Sequence, residues 1–173
     1  MNARIEQDEH ARQNAQGWAQ SIAAMVAAMH CDYARLQELR DEREALEPED
    51  LATWNAENRD EFDALTDDAT IDGDLQESSD KARERIQESP LSAQVRSGWT
   101  SPGEPMEAEQ FEILLSTGGP ALRIMGELDE HKKPHRAWLE YQDWGTPWTE
   151  YHAPEQCDHD TLLAFCTQFY FGE

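Results

Sequence analysis

Between about Glu6 and Leu46 the chain has no proline and one glycine, and Trp18, Ile22, Met25, Val26, Met29, Tyr33, Leu36 and Leu39 recur every three or four positions. That is the period of a helix with one buried face, and it predicts a long helix here. In heptad terms Ile22, Met29 and Leu36 fall at one core position and Trp18, Met25, Leu39 and Leu46 at the other, with an interruption at Asp32. The pattern predicts coiled-coil-like packing, within the chain or across a homodimer.

Pro48 suits the first turn of a second helix, whose buried face is marked by Leu51, Trp54, Asn58, Phe62 and Leu65 and which ends near Thr66. The run from Asp67 to Asp74 reads as a loop by composition, and Leu75, Ser79, Ala82 and Ile86 outline a short third helix closed by Ser89-Pro90. Beyond Pro90 the period changes. Short β-prone runs at Gln94 to Trp99, Phe111 to Leu115, Leu122 to Leu128 and Ala137 to Tyr141 alternate with Gly- and Pro-rich segments, as in an antiparallel meander. Ser116-Thr117-Gly118-Gly119-Pro120 is a natural hairpin connection. A last helix is expected from about Asp158 to Phe169, with Leu162, Leu163, Cys166 and Phe169 on its buried face. The expected fold is α+β, with an acidic helical region at 1–89 followed by an antiparallel sheet and C-terminal helix at 90–173.

Charge changes this picture more than any motif does. The 173 residues hold 37 Asp and Glu against 14 Lys and Arg, a formal charge of -23. Solubility needs a net charge of only about 2 to 8 in a small domain. So large an excess repels nucleic acid and anionic membrane and attracts basic protein surfaces, including those that hold phosphate backbones. With 38% hydrophobic residues and six Trp, the chain carries enough apolar surface to fold, unlike a disordered acidic tail. Three widely spaced cysteines, Cys31, Cys157 and Cys166, fit reduced thiols. The opening residues carry no apolar signal region, and the run Ile22 to Met29 is too short to span a bilayer, so a cytoplasmic location is expected.

Acids concentrate between Glu47 and Asp80, where thirteen are opposed by Arg59 alone. The candidate partner-binding residues are Glu47, Glu49, Asp50, Glu57, Asp60, Glu61, Asp63, Asp67, Asp68, Asp72 and Asp74. Those on one helix would form a rigid negative ridge, because residues three and four apart are neighbours on its surface. A folded ridge of carboxylates can occupy a phosphate-binding groove without the ordering entropy of a disordered tail, which is the physical basis of DNA mimicry. The competing reading is a solvated helix face that serves solubility only.

No catalytic, cofactor or metal site is expected. His152, Cys157, His159 and Cys166 lack the paired spacing of a structural zinc site, and Asp68, Thr70, Asp72 and Gly73 fall at positions 1, 3, 5 and 6 of a calcium loop but fail it with Thr at position 3 and Ser79 at position 12. Cys31 lies between His30 and Asp32 on a helix, where adjacent side chains diverge. No phosphate loop or nucleophile elbow occurs. The aromatic block from Trp138 to Trp148 carries no Lys or Arg, so it reads as packing and turn stabilisation, or as a protein-binding patch, before a base-stacking platform.

Ser89-Pro90-Leu91-Ser92, Val95-Arg96-Ser97-Gly98-Trp99, FEILLSTGGPALRIMGELDEH, RAWLEYQDWGTPWTEY and the ending FCTQFYFGE resemble a family of small acidic proteins from proteobacterial phages and mobile elements. The resemblance covers the last half of the chain closely and the opening helix loosely. It implies an inhibitor of host defence, with an anti-CRISPR protein acting as a DNA mimic the favoured form, and it assigns no functional residue. The expected partner is a basic host protein or ribonucleoprotein complex that binds nucleic acid. The alternative is an acidic dimeric adaptor or phage assembly protein without mimicry.

Overall fold

The computed structural model describes residues 2–172, with side chains from residue 9 onward, and its element order is α+β: helices, then an antiparallel sheet, then a closing helix. Composition and period divide the chain after residue 89, but the contacts group it otherwise, as Met1–Ala23 with Ile86–Glu173 and as Ala24–Arg85. Composition reports where charge and period change, not which unit covers a given helix face.

Helix α1, Asn2–His30, buries Ala11, Ala15, Ala19, Ile22, Met25, Val26 and Met29, a seam at helical spacing. Its first half is lined by alanines, and Trp18 is only half-buried. The expected single helix through Leu46 is in fact two. At Asp32 the backbone leaves the helical region (φ -81°, ψ 81°) and the Asp32 carboxylate accepts the Arg35 N–H at 3.0 Å, capping helix α2, Tyr33–Glu44. The apolar stripe that suggested a dimer is covered within one chain, since Ile22, Met25, Met29 and Leu36 are all buried.

In the unit Ala24–Arg85, α2 packs on helix α3, Leu51–Asp68, around Cys31, Leu36 and Ala69, with Tyr33, Phe62 and Leu65 against them. Trp54 donates its indole N–H to Glu42 and meets Phe62 edge-on with ring centroids 6.0 Å apart. The expected loop after α3 is a small hairpin, β1 (Thr70–Ile71) and β2 (Asp74–Leu75). Asp72 (φ 51°) and Gly73 (φ 87°) form its turn, the positive-φ pair that matches strand twist. Helix α4, Ser79–Glu88, follows and buries Ala82 and Ile86.

In the other unit five strands lie in chain order: β3 (Ser92–Ser97), β4 (Ala108–Ser116), β5 (Ala121–Leu128), β6 (Pro134–Gln142) and β7 (Thr149–Tyr151). The four β-prone runs are thus strands of the expected meander, and β7 is an addition to it. Alternation directs Phe111, Ile113, Leu115, Ile124, Leu139 and Tyr141 into the core. Helix α5, His159–Cys166, packs against β6 and is capped by Asp158, which accepts the Thr161 N–H at 2.8 Å. Its buried face is Leu162, Phe165 and Cys166, while Leu163 and Phe169 are only half-buried. On the opposite sheet face Arg123 of β5 bridges Glu112 of β4 and Glu140 of β6, each at 2.7 Å, under the Trp148 ring at 4.1 Å. No described helix is long and apolar enough to cross a membrane.

Because Phe165 is completely buried and Phe169 is not, Phe165→Ala should lower stability by about 3–5 kcal/mol. Denaturant unfolding should show Phe169→Ala losing less than half as much.

Candidate partner-binding surface

Helix α3 carries most of the acidic surface. Trp54, Asn58, Phe62 and Leu65 turn inward, which leaves Asp60, Asp63 and Asp67 pointing directly outward, with Glu57, Asp68 and Glu61 along one flank. Glu47, Glu49 and Asp50 precede α3 in the turn that enters it, while Asp72 occupies the β1–β2 turn and Asp74 lies on β2. All eleven candidate acids are exposed and all belong to the unit Ala24–Arg85.

Three have basic neighbours. Arg35 of α2 holds Glu61 in a two-point pair, Nε to Oε1 and Nη2 to Oε2 at 3.0 Å each, and also reaches Glu38 at 3.2 Å. Hydrogen bonding from Arg35 keeps the Glu61 carboxyl below the usual carboxylate range. Arg59 pairs with Asp63 at 3.3 Å, and Arg85 stands 3.9 Å from Asp72. Among the described residues, no ion pair engages Glu47, Glu49, Asp50, Glu57, Asp60, Asp67, Asp68 or Asp74. Arg35 was invisible as a partner from sequence, because it reaches Glu61 across 26 positions.

The placement runs against helix stability. Acids favour the first turn of a helix and bases the last. Helix α3 has no acid in its first turn and no base in its last, and it ends on Asp67 and Asp68. Six carboxylates from Glu57 to Asp68 span eleven steps of the helix, roughly 16 Å at about 1.5 Å per residue. That is about one per 3 Å, close to the ~3.4 Å spacing of phosphates along one DNA strand.

Histidine and cysteine meet elsewhere. In the sheet-containing unit a cleft of about 630 Å³ is lined by His135, His152, His159, Cys157 and Asp158. Burial, with Asp158 beside it, pushes the Cys157 thiol up to about 12, and burial raises Cys31 and Cys166 as well. All three are therefore held as thiols at neutral pH, the opposite of an activated nucleophile. Among the described residues no group of three or more His, Cys, Asp or Glu is placed to hold a metal ion. Asp72 and Gly73, which matched part of a calcium loop, form the hairpin turn.

No protein-family model, curated protein or solved structure gives a significant match to the chain. The local chemistry stands by itself. In the aromatic block, Trp138 donates to Glu140 at 2.9 Å and Trp148 covers Arg123, so both serve the outer sheet face, whereas Trp144 is exposed.

Glu61 takes up its proton at lower pH in the fold than in the unfolded chain, where Glu titrates near ~4.3. The stabilisation from its pairing is complete above that value and is lost as pH falls through the lower folded pKa. Glu61→Gln should therefore be less stable than the parent at neutral pH, and denaturant unfolding should show the gap closing below about pH 4.

Proposed function

We propose that this protein is an inhibitor that binds a basic, nucleic-acid-binding surface of a host defence complex, with the carboxylates of α3 standing in for phosphates. An anti-CRISPR protein is the form of this reading that the family resemblance favours. One observation carries it: α3 presents exposed, largely unpaired acids whose mean spacing along the helix is close to that of phosphates, and it ends on two of them, Asp67 and Asp68, where they weaken the helix. Solubility alone asks for charge anywhere on the surface. It does not ask for acids at the C-terminal end of a helix, where the dipole opposes them.

Because the ridge is part of a folded unit, binding would order few groups, and its field would steer a basic partner before contact. Such association weakens steeply with salt, since exposed charges are screened over about 8 to 10 Å at ordinary ionic strength.

The deciding experiment is an affinity capture from bacterial lysate eluted by a salt gradient, followed by competition between this protein and duplex DNA for each captured partner. Displacement of DNA is the expected outcome. Captured partners with no nucleic-acid-binding activity would end the mimicry reading.

Changing Glu57 and Asp60, Asp67 and Asp68 to their amides should leave the fold intact and weaken binding to that partner roughly ten-fold or more, largely through the association rate. Neutralising Glu88, Glu104, Glu130 and Glu155, which are exposed outside the helical unit, is the control for net charge. Equal losses from both sets, read by surface binding kinetics, would assign association to bulk charge and not to the α3 ridge.

A further inference from the structure

The two edges of the sheet differ. Strand β7 is three residues long, too short to template another strand, whereas β3 has six residues and, among the described residues, pairs with β4 alone. β3 contains no proline, and its single charge, Arg96, is engaged by Gln110 at 2.6 Å on the outer face. The register shift at Arg96/Ser97 leaves Glu109 as the extra residue on β4, so β3 carries no extra residue of its own. Its inward-facing side chains are also uncovered. Val95 and Ala93 sit opposite Phe111 and Ile113, which are buried, yet Val95 is 48% exposed, Leu91 is 61% exposed and Trp99 is fully exposed. An unpaired strand edge therefore coincides with a row of exposed apolar groups.

Charge identifies the occupant. Residues 89–103 contain no Asp or Glu, the longest such stretch outside α1 in a chain of charge -23. Glu109 lies against Gly98 and Glu112 opposite Gln94, but both belong to β4, so a second copy could pair along β3 without setting a carboxylate of its own strand against another. The edge is also complementary to itself. Antiparallel pairing about a two-fold axis at Val95 sets Val95 against its own counterpart, Leu91 against Trp99, Ala93 against Ser97 and Gln94 against Arg96. Val95 then meets Val95 and Leu91 meets Trp99 on one face, with the small Ala93 and Ser97 between them, and the one charge meets an amide on the other.

We infer that the protein forms a symmetric homodimer through its β3 edges, joining the two sheets in the register centred on Val95. The contact is isologous and closes on itself, so it ends at two copies. Its salt response is opposite in sign to that of the acidic ridge, because screening relieves repulsion between the two chains.

Sedimentation of the full chain should show a monomer–dimer equilibrium that shifts toward dimer with concentration and with added salt. Val95→Lys should weaken the dimer about ten-fold or more by setting like charges opposite each other, although it lowers the net negative charge. Circular dichroism and the melting temperature check that this variant folds. As a second arm, Val95→Cys should cross-link into a covalent dimer under mild oxidation, since directly opposed strand residues lie within disulfide reach. Gln94→Cys, facing Arg96 instead of itself, should not cross-link, and neither should the parent. A parent protein that stays monomeric at every concentration, at low and high salt, overturns the proposal and leaves the edge to a different chain. A dimer indifferent to Val95→Lys, or Gln94→Cys cross-linking as readily as Val95→Cys, also overturns it.

Discussion

Mutual repulsion is the constraint under which this fold exists. With 37 carboxylates and 14 basic side chains, every compact arrangement is opposed by its own field, and burial of apolar surface must outweigh that opposition. The chain meets it with narrow, continuous seams: alanines and larger apolar residues along α1, and the alternating inner positions of β4, β5 and β6. One of its few bases is placed where carboxylates lose water. Arg123 lies between Glu112 and Glu140 at side-chain exposures of 21%, 29% and 18%, so one guanidinium serves two partly buried acids and joins three strands. The acids of α3 receive no comparable help, apart from the pairing of Glu61 with Arg35 and of Asp63 with Arg59.

The elements that read clearly from sequence were those whose signal is periodic. The second half of the α1 seam, from Ile22 to Met29, the inward face of α3 and the four main strands follow from period 3.6 or period 2 alone. Local chemistry read less well where it competed with that period. Asp32 breaks the first helix because its carboxylate offers the next turn a cap, an energy that hydrophobic spacing across the break does not register. Asp72-Gly73 is a strong hairpin signal, yet its flanking strands are two residues each and carry no alternation to notice. In α5 the residue on the core face is Phe165 and not Phe169, a difference set by how far the helix continues before Thr167 caps it.

The acidic surface was legible as composition and only partly as geometry. Eleven carboxylates could be named and all are exposed. Which of them have a base beside them depends partly on arginines brought in by tertiary structure, since Arg35 has no local relation to Glu61. The uneven distribution of charge along the chain has a physical meaning of its own. Acids crowd the segment around α3 and vanish between residues 89 and 103, so the molecule presents a long-range field from one segment and short-range apolar and backbone contacts from another. Encounters governed by these two kinds of force respond to different variables of the medium.

Gly126 sits on β5 directly across from Phe111. A side chain there would run into the Phe111 ring and the Arg136 carbonyl, so the ring lies over bare backbone. Phe111 in turn stacks on Phe171, with centroids 4.5 Å apart. The last aromatic of the described chain is thus held by a hole: a missing methyl group in the middle of the sheet makes room for one ring, and that ring gives the chain's end something to rest on. Even alanine at this position, the smallest change open to a glycine, would dislodge the ring and with it the seat of Phe171, so a loss of order at the end of the chain would trace back to a strand some forty-five residues earlier.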